Sequence, residues 1–182
     1  MRVRRCVLAA VTTVAFLATI PAAHASTSLE SRLAYLQNRD RTAFGRPALQ
    51  PSQFLSSLAR AHARNMAAAR RIWHDPSLPS LVGVWEYVGD NVGRSTSLEQ
   101  LHAGFMASRE HRENLMFWGY EHYGVGVATG RDGYVYAVVV FFTPYRGHSK
   151  QQRPEAAAPK SQGEPQTIEM LVRLVSLDGH AA

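Results

Sequence analysis

The sequence is nearly without cysteine. Its single one, Cys6, stands ahead of the apolar stretch VLAAVTTVAFLATI (7–20). A lipid-acceptor cysteine follows such a stretch, so lipidation there is excluded. Arg2, Arg4 and Arg5 precede the stretch, and Pro21 and Ala23-His24-Ala25 follow it. That order reads as a secretory signal over residues 1–25, cut before Ser26. Once it is removed the chain holds no cysteine, and a disulfide-stapled scaffold is excluded. No other apolar run approaches the roughly 20 residues of a membrane span, so no transmembrane segment is expected after cleavage. Clustered charge is also missing. Loss of three arginines with the leader takes the formal +6 to +3, and the remaining charges are scattered. With no basic stripe and no nucleic-acid motif, nucleic acid drops out as a partner. A Gly-x-Ser-x-Gly elbow is absent too, which removes the usual serine-hydrolase arrangement.

What remains is about 155 residues, enough for one core-stabilised domain. A first helix is expected from a cap at Thr27 or Ser28 to about Phe44, with Leu29, Leu33 and Leu36 on one face. Gly45-Arg46-Pro47 ends it. A second opens at Pro51 and spaces Leu55, Leu58, Ala59, His62, Met66 and Ala69 helically. Residues 73–95 show no clear period. Thr96-x-x-Glu99 reads as a capping box for a third helix carrying Leu98, Leu101, His102, Phe105 and Met106. Ser108 reads as the N-cap of a short helix, Arg109–Met116. Strands are expected at Tyr123–Thr129 and Tyr134–Thr143 around Gly130-Arg131-Asp132-Gly133, a hairpin turn signal. The second strand, YVYAVVVFF, is apolar on both faces and needs cover on both. The expected fold is therefore α+β, a three-layer α-β-α sandwich around a central antiparallel sheet. Residues 26–145 form the domain. Residues 146–182 form a flexible tail, with a short helix where Ile168, Leu171, Val172 and Val175 regain an amphipathic pattern.

Four polar positions carry candidate chemistry: His74, Asp90, Ser108 and His111. Two histidines and a carboxylate suit a divalent metal such as zinc with a position left for water. They suit general acid–base work equally. The 16- and 21-residue gaps between His74, Asp90 and His111 match no fixed metal register. Plainer roles stand beside these: a loop contact for His74, a turn for Asp90, a cap for Ser108. His62 and His102 lie on apolar helix faces and read as core histidines.

Taken together, the motifs resemble the CAP superfamily (SCP domain) of cysteine-rich secretory, antigen-5 and pathogenesis-related proteins, in its secreted bacterial branch. The resemblance runs from about Ser28 to Phe142. Leu36-Gln37-Asn38-x-x-Arg41-x-x-x-Gly45 is similar to the family's first helix, and GDNVG (89–93) to its Gly-Glu-Asn-Val-Gly. SREHRENLMFWGYEHYGVGV (108–127) is similar to its Ser-Pro-Gly-His-Arg-x-Asn-Ile segment and following strand. The resemblance implies a cleft shared by His74, Asp90 and His111, the three positions of the family site that this chain retains. Asp90 stands in place of a glutamate, and the family's second glutamate has no clear counterpart. It also implies a secreted or envelope-associated monomer that binds zinc or calcium, or an apolar ligand such as a lipid or cell-envelope component, without catalysis. The alternative is a metal-assisted, peptidase-like hydrolase acting on a peptide or cell-envelope substrate.

Overall fold

In the computed structural model the described residues are 22–147 and 169–176, with side chains from Ser28 to Gly147. Helix α1 (Ala22–Ala43) comes first, then the two-residue strand β1 (Gln50–Pro51) and helix α2 (Gln53–Ala69). The Ser52 side chain caps α2 by accepting from the Leu55 N–H. A single turn, α3 (Leu78–Leu81), leads into β2 (Trp85–Ser95). Helices α4 (Leu98–Ala107) and α5 (Arg109–Leu115) follow, then the hairpin β3 (His122–Thr129) and β4 (Val135–Pro144), and last β5 (Glu169–Ser176).

The five strands form one sheet in the order β1-β3-β4-β2-β5. It is mixed rather than wholly antiparallel: β1 runs parallel to β3, and every other pair is antiparallel. Strand β4 lies at the centre, and its alternation divides the core. Val135, Ala137, Val139 and Phe141 pack with Leu33, Leu98, Leu101, Phe105 and Leu115 of α1, α4 and α5. Tyr136, Val138 and Val140 pack with Leu55, Ala59, Ala63, Met66 and Leu78 of α2 and α3. The expected three layers are present. Helix α2 sits directly on β3, where a Cβ at Gly124 would fall on the main chain of Leu55 and one at Gly126 on that of Ala59.

Three readings change. The capping residue of α4 is Ser97, whose side chain accepts from the Gln100 N–H, and Thr96 instead bonds Gln100 through its side chain. Residues 73–95 are not irregular throughout, since they hold α3 and the long strand β2. Both faces of β2 are buried and its centre is Gly-Asp-Asn-Val-Gly, so neither apolar alternation nor strand propensity marks it. The stretch read as a short helix in a flexible tail is a strand: β5 pairs antiparallel with β2 from Tyr87↔Ser176 to Arg94↔Glu169. Its apolar spacing fits either structure, and the open edge of β2 supplies the ladder partners that select the strand. Residues 148–168, also read as flexible tail, lie outside the described residues.

Because both faces of β4 are dry, Val138→Asp and Val139→Asp should be similarly destructive. Val138 and Val139 are at most 1% exposed, and each change buries a charge without a partner, at a cost on the order of 4 kcal/mol or more. Thermal unfolding of the two single mutants checks this. A loss confined to one of them would mean that one face of the sheet is wet.

Candidate functional site

His74 lies in the loop leaving α2. The helix ends at Arg70, the one described non-glycine residue with positive φ (55°), which turns the chain back towards the sheet. The loop is then held by a residue of α2 itself. His62 Nε2 stands 2.6 Å from the Trp73 carbonyl oxygen, and the two rings meet edge to face at 5.2 Å. Arg71 covers the other side of Trp73, its guanidinium 4.9 Å from the ring centre. Asp75 accepts from the Ser77 N–H at 2.9 Å, which fixes the next turn. His74 is thus delivered to the middle of β2, where its Nδ1 is 2.8 Å from Asp90 Oδ2.

The pair is asymmetric. The Asp90 side chain is 1% exposed and that of His74 is 21% exposed. With Nδ1 engaged by the carboxylate, Nε2 is the ring nitrogen left to face an incoming group. An acid behind an imidazole fixes its tautomer and orientation, which is how a base or a ligand histidine is prepared.

His111 is positioned separately. Ser108 caps α5, as expected, and its hydroxyl lies 2.7 Å from His111 Nδ1 and donates to Glu110 Oε2 at 3.1 Å. The hydrogen bond from its own backbone N–H holds the Glu110 carboxyl below the usual range; partial burial opposes this and the Ser108 hydroxyl assists. The His111 ring stacks on Phe105 at 5.4 Å. Its carbonyl accepts from Asn91 Nδ2 at 3.0 Å. Asn91 Oδ1 in turn accepts from Asn114 Nδ2, and Asn114 Oδ1 from the Tyr120 hydroxyl, both at 2.8 Å.

This geometry brings two of the three positions expected to share a cleft into contact. Asp90 is opposite Val140 and shares the α2 face of the sheet with Val88 and Val92; Asn91 is opposite Val139 and faces α5. Strand alternation therefore sends Asp90 towards His74 and Asn91 towards α5. Among the described residues no group of three or more His, Cys, Asp or Glu side chains is placed to hold a metal ion. His74 and Asp90 come together, and His111 is held in the α5 layer by Ser108 and Phe105. Asp90 is a strand residue rather than a turn former.

His62 and His102 are core residues, but neither is idle. His62 holds the His74 loop. His102 Nε2 is 2.7 Å from Asp40 Oδ2 and ties α4 to α1. Reading His62 on an apolar face could not reveal its role, because its partner is a backbone carbonyl eleven residues on.

A helix-flanked sheet, the short α5 after α4, and an acid on β2 paired with a histidine after α2 define an α-β-α sandwich. The CAP profile (Cysteine-rich secretory protein family) matches residues 34–142, and the chain belongs to that family. The fold is similar to that of an outer surface protein of Borrelia burgdorferi, with 15% identity and a TM-score of 0.60 over 65% of this chain and 94% of that one. It is similar to an extracellular SCP-domain protein of Bacillus anthracis, with 20% identity and a TM-score of 0.58 over 69% of this chain. A cysteine-rich secretory protein of Staphylococcus aureus follows at 19% identity and a TM-score of 0.56 over 65% of this chain. The matched region spans 44% of the Bacillus chain and 39% of the Staphylococcus chain. No curated protein matches by sequence.

Two outcomes are expected. Asn91→Leu should cost about 2–4 kcal/mol, since it strands the His111 carbonyl and the Asn114 amide in the core; chemical denaturation measures it. The Asp40–His102 tie should weaken in acid. Burial pushes the Asp40 carboxyl up, but hydrogen bonds from His102 and Arg39 outweigh it and hold the group below its ordinary value. Its contribution is therefore complete above the unfolded carboxylate range, about pH 4, and is lost as pH falls through the lower folded value. Asp40→Asn should destabilise the protein at pH 7, and the difference from the parent should shrink towards pH 2 in a denaturation series.

Proposed function

We propose that this chain is an exported CAP domain that binds a small ligand at the His74–Asp90 pair without turning it over. The observation that carries the reading is the pair itself: a carboxylate almost fully buried on a central strand, holding an imidazole at the surface. Partly buried Ile72, Trp73 and Trp85 belong to the same side of the molecule, which favours a ligand with an apolar body and one polar group. A lipid or cell-envelope component has that chemistry. Among the described residues the pair forms a single acid–base couple, which supports binding rather than turnover. The names of the similar structures, an outer surface protein and an extracellular protein, support export. Cleavage between Ala25 and Ser26 would trim the first four residues of α1, and the mass of the secreted protein tests it.

A metal-dependent reading is favoured by one observation, the carboxylate on Nδ1 of a partly exposed His74, which leaves Nε2 as its ligand nitrogen. His74 and Asp90 fit an outer tier and a single ligand, so further ligands would have to come from the bound molecule or a partner. The chemistry supplied there would be polarisation of a bound carbonyl.

Calorimetric titration of the purified mature protein with zinc, with calcium and with a medium-chain fatty acid separates the readings. Fatty-acid binding that weakens at least tenfold in His74→Ala, and not in His122→Ala, is the expected result. Zinc or calcium binding with the same His74 dependence would move the assignment to the metal-dependent reading. Binding of any probe that ignores His74 would sink both.

A further inference from the structure

Leu33, Gln37 and Arg41 follow one another at four-residue steps along one face of α1, and their exposures are 0%, 2% and 0%. Leu33 belongs to the core cluster of Leu98, Leu101 and Phe105. An apolar residue would suit the next position on this stripe, and glutamine occupies it. Neither Nε2 nor Oε1 of Gln37 has a hydrogen-bond partner among the described residues. The same holds for Nη2 of Arg41, whose Nε donates to Pro47 and whose Nη1 donates to Leu115 and Phe117. His102 adds a third case on α4. Its Nε2 is engaged by Asp40 Oδ2 at 2.7 Å, and its Nδ1 is without a partner. Asp40 adjoins Arg41 and lies three residues beyond Gln37, so the three unpartnered side chains meet at the boundary of α1 and α4. A buried donor or acceptor left bare carries its full desolvation cost. Here donors and acceptors are both bare, one helical turn apart.

We propose that Gln37 and Arg41 form a binding site for one buried water molecule, which accepts from Arg41 Nη2 and donates to Gln37 Oε1. The chemistry of the atoms selects the ligand. A cation is repelled by the guanidinium. An anion has no proton to give and leaves Oε1 bare. Water both accepts and donates. A buried water typically makes about three hydrogen bonds, and His102 Nδ1 supplies the third. While Nε2 keeps its proton for Asp40, Nδ1 is an acceptor and takes the second proton of the water. The water then completes the solvation of a cation that has no carboxylate in contact with it, since each printed partner of Arg41 is a main-chain carbonyl. Arg41 already joins α1 to α5 and to the loop entering β3, and the water extends that junction to α4. The assignment is independent of the ligand read for His74 and Asp90.

The test is a high-resolution crystal structure of the full mature chain, with a bromide-soaked crystal beside it. The expected result is a single peak of density about 2.7–3.2 Å from both Arg41 Nη2 and the Gln37 side-chain amide. No peak there, or direct contact between the two side chains, would overturn the site. An anomalous bromide signal at the position would overturn water in favour of an anion. Gln37→Met keeps the length of the side chain and removes the amide. In that variant the peak should vanish, and the thermal midpoint should fall by at least about 3 °C, because Arg41 Nη2 is then left bare. A higher midpoint would mean that the amide is an orphan in a dry core, and a peak that persists would mean that Gln37 does not hold the water. Either would overturn the proposal. The parent crystal decides the matter even where the variant does not fold.

Discussion

Arg41 is the group on which the α1–α5 half of the structure depends. Its side chain is fully buried, and the guanidinium is engaged by main-chain oxygens: Pro47 at 3.0 Å, Leu115 at 2.6 Å and Phe117 at 3.1 Å. One cation thus fixes the turn after α1, the last carbonyls of α5 and the loop that enters β3. Burial, with a smaller push from Arg46 and an opposing pull from Tyr120, lowers its pKa to about 10. It stays protonated at neutral pH despite losing its water. A buried cation without hydrogen bonds would be prohibitive, and three aligned carbonyl dipoles are the compensation. A lysine could not span the three acceptors, because its donors radiate from a single point. Since α5 is pinned at its C-terminal end by Arg41 and at its middle by the Asn91–Asn114 network, the positions of Ser108 and His111 follow from it.

The second constraint is the pleat of β2. Asp90 and Asn91 are adjacent in sequence and act on opposite sides of the sheet, one towards His74 and the other towards α5. Alternation makes the separation unavoidable once the segment is extended. It is also why the site was only half legible in the sequence. Listing His74, Asp90 and His111 as polar groups in a loop-rich region predicts convergence. Placing Asp90 on a two-faced strand predicts that the adjoining layers each receive one neighbour.

Legibility followed the strength of the local signal. β4 was readable because an unbroken apolar run has few alternatives, and the α5 cap because Ser108 precedes an acid and a helical stretch. The β3–β4 turn was readable from Asp132-Gly133. β2 was not, because its buried polar residues are stabilised by partners distant in the chain, and no window of sequence contains those partners. β5 was misread for a related reason: an isolated Leu-Val-x-x-Val spacing cannot distinguish a helix face from a strand whose ladder lies some eighty residues away.

With a single cysteine, Cys6, the chain can form no internal disulfide, and this gives the polar ties their weight. A domain of this size without disulfides must restrain its loops by other means. Arg60 and Glu30 join α2 to α1 through two contacts of 2.8–2.9 Å, with the glutamate side chain 6% exposed. Arg41, the Asp40–His102 pair and the Asn91–Asn114–Tyr120 chain do the same for α4, α5 and the strands. Each tie replaces a covalent cross-link with hydrogen bonds that hold only while water is excluded, so they are secure only behind the two apolar layers flanking β4. The same exclusion of water places the Asp90 carboxylate behind His74. Fold stability and the orientation of the exposed imidazole therefore rest on one condition, a dry sheet on both faces.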